Sequence, residues 1–318
     1  MTASALVALL CVGVMGFAIQ RGATCTVAAV DEVLNLRRAH RLAAMLEASL
    51  WVAGGLALAQ VAHLAGSMPA GYETSLWTVI GGALLGLGAW INRACVFGAV
   101  ARLGSGEWAY AATPLGFYVG CLSVMPLFAR PVPTTLSGST PFLPGSSVVA
   151  AVFVGFVLWR AGSGLRALRR SDRGEWLRQQ IGSPHAATVV IGVSFVIALL
   201  LAGRWAYTDV LADLAHAMRG MPVDLALPTL LLLALYAGAL IGGRTAGRWK
   251  SIRMSAPQLL RCFGGGVVMG WGSLLIPGSN DGLILIGIPL LRPYAWLAFA
   301  SMFAAIAAAM LVQARLAR

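Results

Sequence analysis

Charged residues are scarce in this sequence, and their scarcity excludes several classes of protein. Only 11% of the 318 residues are charged, against about 25% in a soluble globular domain. Hydrophobic residues make up 59% of the chain, and the mean hydropathy is +0.82. Because a water-soluble fold cannot bury that much apolar surface, soluble enzymes, collagens and disordered tails are excluded. The chain is predicted to lie in a lipid bilayer.

Lysine is almost absent, since Lys250 is the only one, and no continuous basic tract exists. The net charge of +12 comes instead from arginines in short loops between apolar runs, where the positive-inside rule expects them. The sequence therefore predicts no nucleic-acid partner.

Motifs for cofactors and metals are also missing. The sequence contains no Walker A motif and no GxSxG, and its four histidines lack the spacing of metal ligands. No CxxC pair occurs, and the odd number of cysteines argues against a disulfide framework. We expect no cofactor and no metal. The five cysteines are Cys11, Cys25, Cys95, Cys121 and Cys262.

Nine apolar runs predict an all-α integral membrane protein with about nine transmembrane helices. We expect one polytopic domain over 1–318, with a first half at about 1–130 and a second at about 146–318. A Pro/Ser/Thr-rich loop at 130–145 would join them. The runs are 4–36, 42–66, 74–102, 109–129, 146–160, 186–203, 226–243, 258–292 and 294–313.

Arginine-rich loops indicate the orientation. The segments 37–41, 160–178, 244–261 and the C-terminus carry most of the basic residues. Nine crossings with the N-terminus outside and the C-terminus in the cytoplasm place all of them on one side. Residues 1–20 lack Lys and Arg, so we expect a retained first span rather than a signal peptide.

Three runs exceed the roughly 20 residues of a simple crossing and contain helix-breaking interruptions. These are Gln20-Arg21-Gly22, Asn92-Arg93-Ala94 and 276–282. Irregular backbone at membrane depth is tolerated where it lines a cavity, and broken helices in two halves indicate a transporter site. The candidate residues on the substrate path are Gln20, Arg21, Cys25, Asn92, Arg93, Cys95, Ser279 and Asn280, with Asp281 beside them.

An internal repeat relates two of the interruptions. Residues 81–98 (GGALLGLGAWINRACVFG) align without gaps to residues 265–282 (GGVVMGWGSLLIPGSNDG), with five glycines in common. The alignment places Cys95 opposite Ser279. In the expected topology the copies run in opposite directions, which predicts an inverted repeat with a site between the halves. Alternatively, the glycines only allow close helix packing.

The chemistry of the breaks favours an anion. Half-helix N-termini offer free amides and a positive dipole end, and a thiol suits a sulfur anion better than phosphate. Arg21 and Arg93 could add charge, lie at an interface or pair with Asp281. We expect the other three cysteines to serve packing.

Three segments resemble the YeeE/YedE family of sulfur transporters: 16–29, 86–106 and 270–283. The resemblance implies nine helices in inverted halves of a bacterial inner-membrane protein that takes up thiosulfate or a related sulfur anion. It also implies that Cys25 and Cys95 line a central path, and it raises a possible cytosolic sulfur-carrier partner. The family's third cysteine falls at Ser279, which predicts a weaker third station or a different anion.

A different class of function remains open from the residues alone. Cys25 or Cys95 could form a persulfide in a membrane-embedded thiol enzyme or sulfur-transfer subunit. Such chemistry needs a thiolate with a lowered pKa. We expect the transporter rather than the enzyme.

Overall fold

The structure is a computed structural model that describes residues 2–22, 25–64, 69, 71–128, 131, 142–170, 182–247, 249–276 and 278–317. Regular structure in these residues is helical, which confirms the prediction of an all-α membrane protein. The helices are α1 (Ala3–Gly22), α2 (Thr26–Leu36), α3 (His40–Val61), α4 (Leu76–Asn92), α5 (Val96–Gly104), α6 (Ala112–Val124), α7 (Phe142–Arg170), α8 (Pro184–Ala202), α9 (Tyr207–Met218), α10 (Ala226–Thr245), α11 (Ala256–Leu275), α12 (Asn280–Gly287) and α13 (Pro293–Leu316).

Prolines fix the start of three helices in the second half. Pro184 and Pro293 are the first residues of α8 and α13, and Pro257 is the second residue of α11. Proline suits the first turn because its missing N–H would have no helical partner there. The Ser183 hydroxyl caps α8 by accepting a bond from the Ala186 amide.

Seven helical segments within the described residues are long and apolar enough to cross a bilayer, and the pair α11–α12, bent by 52°, would be an eighth. The remaining predicted run, 109–129, forms a short 3-10 turn and α6, which has 13 residues. At 1.5 Å per residue α6 is about 20 Å long, shorter than a hydrocarbon core of about 30 Å. The number nine stays a prediction.

Helices α4 and α11 carry the repeated glycines and pack against each other in a reciprocal way. A Cβ atom on Gly81 would lie 2.9 Å from the carbonyl oxygen of Gly272, and one on Gly272 would lie 2.5 Å from that of Gly81. Gly88 and Gly265 repeat the relation at 2.7 and 2.8 Å. Since the repeat equates Gly81 with Gly265 and Gly88 with Gly272, exchanging the two copies preserves these contacts, as an inverted repeat requires.

The neighbouring helices extend this relation. A Cβ on Gly82 of α4 would lie 2.5 Å from the Ala298 carbonyl oxygen in α13, and one on the equivalent Gly266 of α11 would lie 2.3 Å from the Thr113 carbonyl oxygen in α6. These close approaches make α6 and α13 equivalent partners. We propose that α1–α6 and α8–α13 are the two halves. This proposal places α7 between them, whereas the predicted boundary at about 146 assigned it to the second half.

Three expectations about loops need correction or fall outside the structure. The stretch 204–224, which lies between two of the predicted apolar runs, contains the helix α9. The segment 160–178 is helical as far as Arg170, and residues 171–181 lie outside the described residues, as does 132–141 in the predicted linker. The first break follows Gly22 rather than Gln20, because α1 continues through Gln20, Arg21 and Gly22.

Candidate functional site

Each of the three predicted breaks places one candidate residue at the N-cap of a short helix. Cys25 caps α2, Cys95 caps α5 and Ser279 caps α12, all with extended ψ angles of 125°, −179° and −170°. An extended N-cap leaves the first amides of the helix without helical partners. The structure therefore brings two thiols and one hydroxyl to positive helix ends.

A fourth break, which the sequence analysis missed, precedes α9. Ala206 is its N-cap, again extended (φ −140°, ψ 144°) and 3% exposed. Asp209 and Asp213 made this stretch resemble a loop. The signal that could have revealed it is the helical spacing of the buried Tyr207, Val210 and Leu211.

Thr26 connects the breaks through hydrogen bonds. Its backbone amide donates to Cys95 Sγ at 3.2 Å, and its Oγ1 accepts a bond from Asn280 Nδ2 at 3.3 Å. The Cys25 and Cys95 thiols also lie close enough to interact. Residues of three breaks thus form one cluster, in which Thr26, Cys95 and Asn280 are buried and Cys25 is partly exposed. Sequence reasoning did not select Thr26.

Gly98 gives Cys25 the space for its thiol. A Cβ atom on Gly98 would lie 2.6 Å from Cys25 Sγ, closer than a carbon and a sulfur atom can approach. The glycine was noticed as part of the repeat, but its contact with the first break depends on the tertiary fold. Gly98 therefore belongs to the site as a spacer.

Two polar atoms of the cluster lack a hydrogen-bond partner. They are Ser279 Oγ and Asn280 Oδ1, on residues that are 0% and 1% exposed. Leaving such a group unsatisfied costs about 1–3 kcal/mol, and buried polar groups in native proteins normally bind a partner or water. This arrangement can receive a small polar ligand.

Asp281 holds two of the breaks together rather than pairing with an arginine. Its carboxylate accepts bonds from the backbone amide of Thr208, at 3.1 Å, and from the Thr208 hydroxyl. Both residues are buried. The sequence left open a pair between Asp281 and Arg21 or Arg93. The described contacts give Asp281 a different partner, Thr208. Asp281 anchors the start of α9 to the start of α12.

The predicted residues Gln20, Arg21 and Asn92 have bonds away from the cluster. Gln20 Nε2 donates to Ser105 Oγ at 3.1 Å, and Arg21 donates to Thr245 Oγ1 at 2.9 Å.

Asn92 closes the turn at the second break. It donates to the Ala94 carbonyl oxygen at 2.8 Å and accepts from the Thr113 hydroxyl at 3.0 Å. These bonds satisfy both ends of its amide, which gives it a structural function in the turn.

Arg93 lies beside the cluster rather than within it. It is the left-handed C-cap of α4 (φ 58°), and it is exposed. Its side chain lines a cavity of about 640 Å³. The polar residues on that cavity are Asp31, Asn35, Arg93, Arg261 and Gln313.

Two comparisons with known proteins identify the family of the chain. A family model described as sulphur transport matches residues 21–308. The thiosulfate transporter TsuA of Escherichia coli (strain K12) is 23% identical over 321 residues, which cover 91% of this chain and 89% of that protein. Because the family model matches most of the chain, including all four breaks, the chain belongs to the sulphur transport family.

Proposed function

We propose that this protein carries thiosulfate, or a related small sulfur anion, across the membrane through the cluster at Cys25, Cys95 and Ser279. The observation that carries the proposal is that the neighbouring Cys25 and Cys95 thiols cap two helices and connect through Thr26 to Asn280, beside the unpartnered hydroxyl of the third cap, Ser279. Membership of a sulphur transport family and the likeness to a thiosulfate transporter support the same substrate class.

The two ends of thiosulfate fit the two sides of the cluster. Its terminal sulfur is soft and polarisable and suits S–H donors from Cys25 and Cys95. Its sulfonate oxygens suit the Ser279 hydroxyl, since a hydroxyl donates a hydrogen bond to an oxyanion. A neutral set of weak donors binds an anion loosely, which allows it to leave again.

The direction and setting of transport form part of the proposal. Arg37, Arg38 and Arg41 lie near the end of α2, and the positive-inside rule places that end in the cytoplasm. The protein then has its C-terminus in the cytoplasm of a bacterial inner membrane and imports its substrate. A cytosolic sulfur-carrier protein would be a suitable acceptor for the imported sulfur.

Uptake of radiolabelled thiosulfate into proteoliposomes tests the function. We expect uptake by the wild-type protein, with no uptake of labelled sulfate. In Cys95→Ala, the loss of a donor to a charged ligand should lower uptake roughly ten- to hundredfold.

Cys121→Ala is the matched control, because Cys121 is equally buried but lies on α6, where its thiol faces the Gly270 carbonyl oxygen at 3.7 Å. It should keep near-normal uptake. Normal uptake by Cys95→Ala would refute the cysteine path. Absence of thiosulfate uptake by folded wild-type protein, with added sulfur on Cys25 or Cys95 after exposure to a sulfur donor, would favour the thiol enzyme.

A further inference from the structure

A second polar site lies next to the buried cluster. The 640 Å³ cavity described above is bounded by α2, α4, α11 and α13. We call it the vestibule. Val27, two residues after Cys25, and Arg93, two residues before Cys95, both line it. The vestibule and the buried cluster are therefore formed by the same two turns of the chain.

The charges on the vestibule favour an anion. Two arginines, Arg93 and Arg261, and one acidic residue, Asp31, line the vestibule. Asn35 Nδ2 donates to the Asp31 carboxylate at 2.7 Å, which orients it on α2. In a chain with so few charged residues, two cations at one cavity beside a break are a specific arrangement. Guanidinium groups bind planar arrays of oxygen atoms through paired N–H donors.

The wall of the vestibule is held in place independently of any ligand. Trp90 Nε1 donates to Gln313 Oε1 at 3.3 Å, which ties the end of α4 to the end of α13. Arg93 comes three residues after Trp90 and has a left-handed backbone, which non-glycine residues adopt only rarely. This turn directs the Arg93 side chain to the exposed cavity rather than to the buried cluster.

We propose that the vestibule is a second anion-binding site, at which Arg93 and Arg261 bind the oxygen atoms of a tetrahedral sulfur oxyanion and Asp31 weakens that binding. This inference rests on the proposed function, since it assigns thiosulfate a station on the cytoplasmic side of the thiol cluster, where α2 and α13 end. The vestibule recognises oxygen atoms and the cluster recognises sulfur. The vestibule consequently binds sulfate as well as thiosulfate, although only thiosulfate passes the cluster.

Arginine modification provides a test that does not depend on transport. Phenylglyoxal modification of the reconstituted protein would be followed at each arginine by peptide mass spectrometry, with 10 mM sulfate, thiosulfate or chloride at equal ionic strength. Both sulfur oxyanions should slow modification of Arg93 and Arg261 by roughly two- to fivefold, as expected for millimolar binding at an exposed charged site. Arg253, exposed and outside the vestibule, is the control and should not change. Equal modification rates in all three salts would refute the second site.

The direction in which KM changes in three variants distinguishes an effect of charge from a structural effect. Arg93→Gln and Arg261→Gln should raise the KM for thiosulfate roughly two- to fivefold, and Asp31→Asn should lower it by a similar factor. These differences should shrink at 0.5 M salt, where the screening length is only about 4 Å. If all three variants change KM in the same direction, the charge of the vestibule does not bind the anion.

The two proposals can fail separately. Sulfate protection of Arg93 and Arg261 without thiosulfate uptake would leave the vestibule as an anion site and remove the transport function. Thiosulfate uptake with no protection and no change of KM in the variants would leave transport intact and remove the vestibule.

Discussion

The two proposed halves have helix N-caps at equivalent positions, but the side chains at these caps differ. Cys25 and Ala206 are both N-caps of the short helix that follows the first long helix of their half. Cys95 and Ser279 are both N-caps after the glycine-rich helix. The first half thus supplies two thiols, whereas the second supplies a methyl group and a hydroxyl.

The bonds that hold the breaks together differ in the same way. In the first half the Thr26 amide donates to the Cys95 thiol, a weak acceptor. In the second half the Thr208 amide donates to the Asp281 carboxylate, and bonds to charged groups are about twice as strong. The comparison suggests that the second half is a fixed frame and that the first half carries the groups that bind sulfur.

Making the equivalent caps identical should have the largest effect. Cys95→Ser gives both glycine-rich helices a serine cap and removes the thiol from the centre. A hydroxyl is a poor partner for soft sulfur, so thiosulfate uptake should fall roughly ten- to hundredfold in proteoliposomes, the cost of a lost bond to an ion. Unchanged uptake, with normal expression, would mean that any small donor suffices and that the contrast between the halves is irrelevant to transport.

Weakening the contact between Asp281 and Thr208 is expected to have the second-largest effect. Asp281→Asn replaces a carboxylate that accepts two bonds from Thr208. The loss of about 1.5–3 kcal/mol should speed amide exchange at the start of α9 by at least about tenfold, as measured by hydrogen exchange with mass spectrometry. The peptide at the start of α2 is the internal control, and equal acceleration there would indicate general unfolding instead.

The glycine contact between the repeats can be tested with two adjacent residues. Gly265→Ala places a Cβ atom 2.7 Å from the Asn92 backbone nitrogen, whereas the Cβ of Gly264→Ala meets no described atom within 4 Å. The first change should destabilise the protein by about 1–3 kcal/mol, seen as a lower Tm. The second should leave Tm equal or slightly higher, since alanine is the better helix former by about 1 kcal/mol. Equal Tm values for both variants would contradict the packing.

Adding a thiol to the second half should have the smallest effect. Ser279→Cys should raise thiosulfate uptake roughly two- to fivefold, the value of exchanging one weak hydrogen-bond partner for a better one. Ser273→Cys is the matched control, because Ser273 is a buried serine of the same half that bonds within α11. If Ser279→Cys instead abolishes uptake, or if uptake starts only in this variant, the serine marks a changed substrate.

Much of the fold followed from the sequence, because local features decide it. Long apolar runs define membrane helices, and the breaks at Asn92-Arg93-Ala94 and 276–282 ended helices where expected. The break before α9 was missed, because Asp209 and Asp213 made the stretch resemble a loop and outweighed the helical spacing of its apolar residues. Their neighbours are buried only because α9 packs against other helices.

The site was predictable in part. Cys25 and Cys95 are neighbours, and Thr26 connects Cys95 to Asn280, the residue after Ser279. Their positions beside breaks were the reason for choosing them, and their role on a substrate path stays a proposal. Gln20 and Asn92 bond elsewhere, because an interrupted helix also needs polar groups to satisfy its own ends. A residue near a break can serve either purpose, and only its partners distinguish the two.

The sequence by itself determined the membrane setting, the helical class and the glycine repeat, because composition and spacing are properties of the chain alone. The inversion of the repeat was an expectation of the topology, which the packing of Gly81 on Gly272 and of Gly88 on Gly265 supports. The tertiary structure decided which polar groups share a space. Thr26 connects Cys95 to Asn280 across the two halves, and Arg93 faces a cavity outside the cluster. Contacts between residues distant in sequence depend on how the helices pack, and no local pattern contains that information.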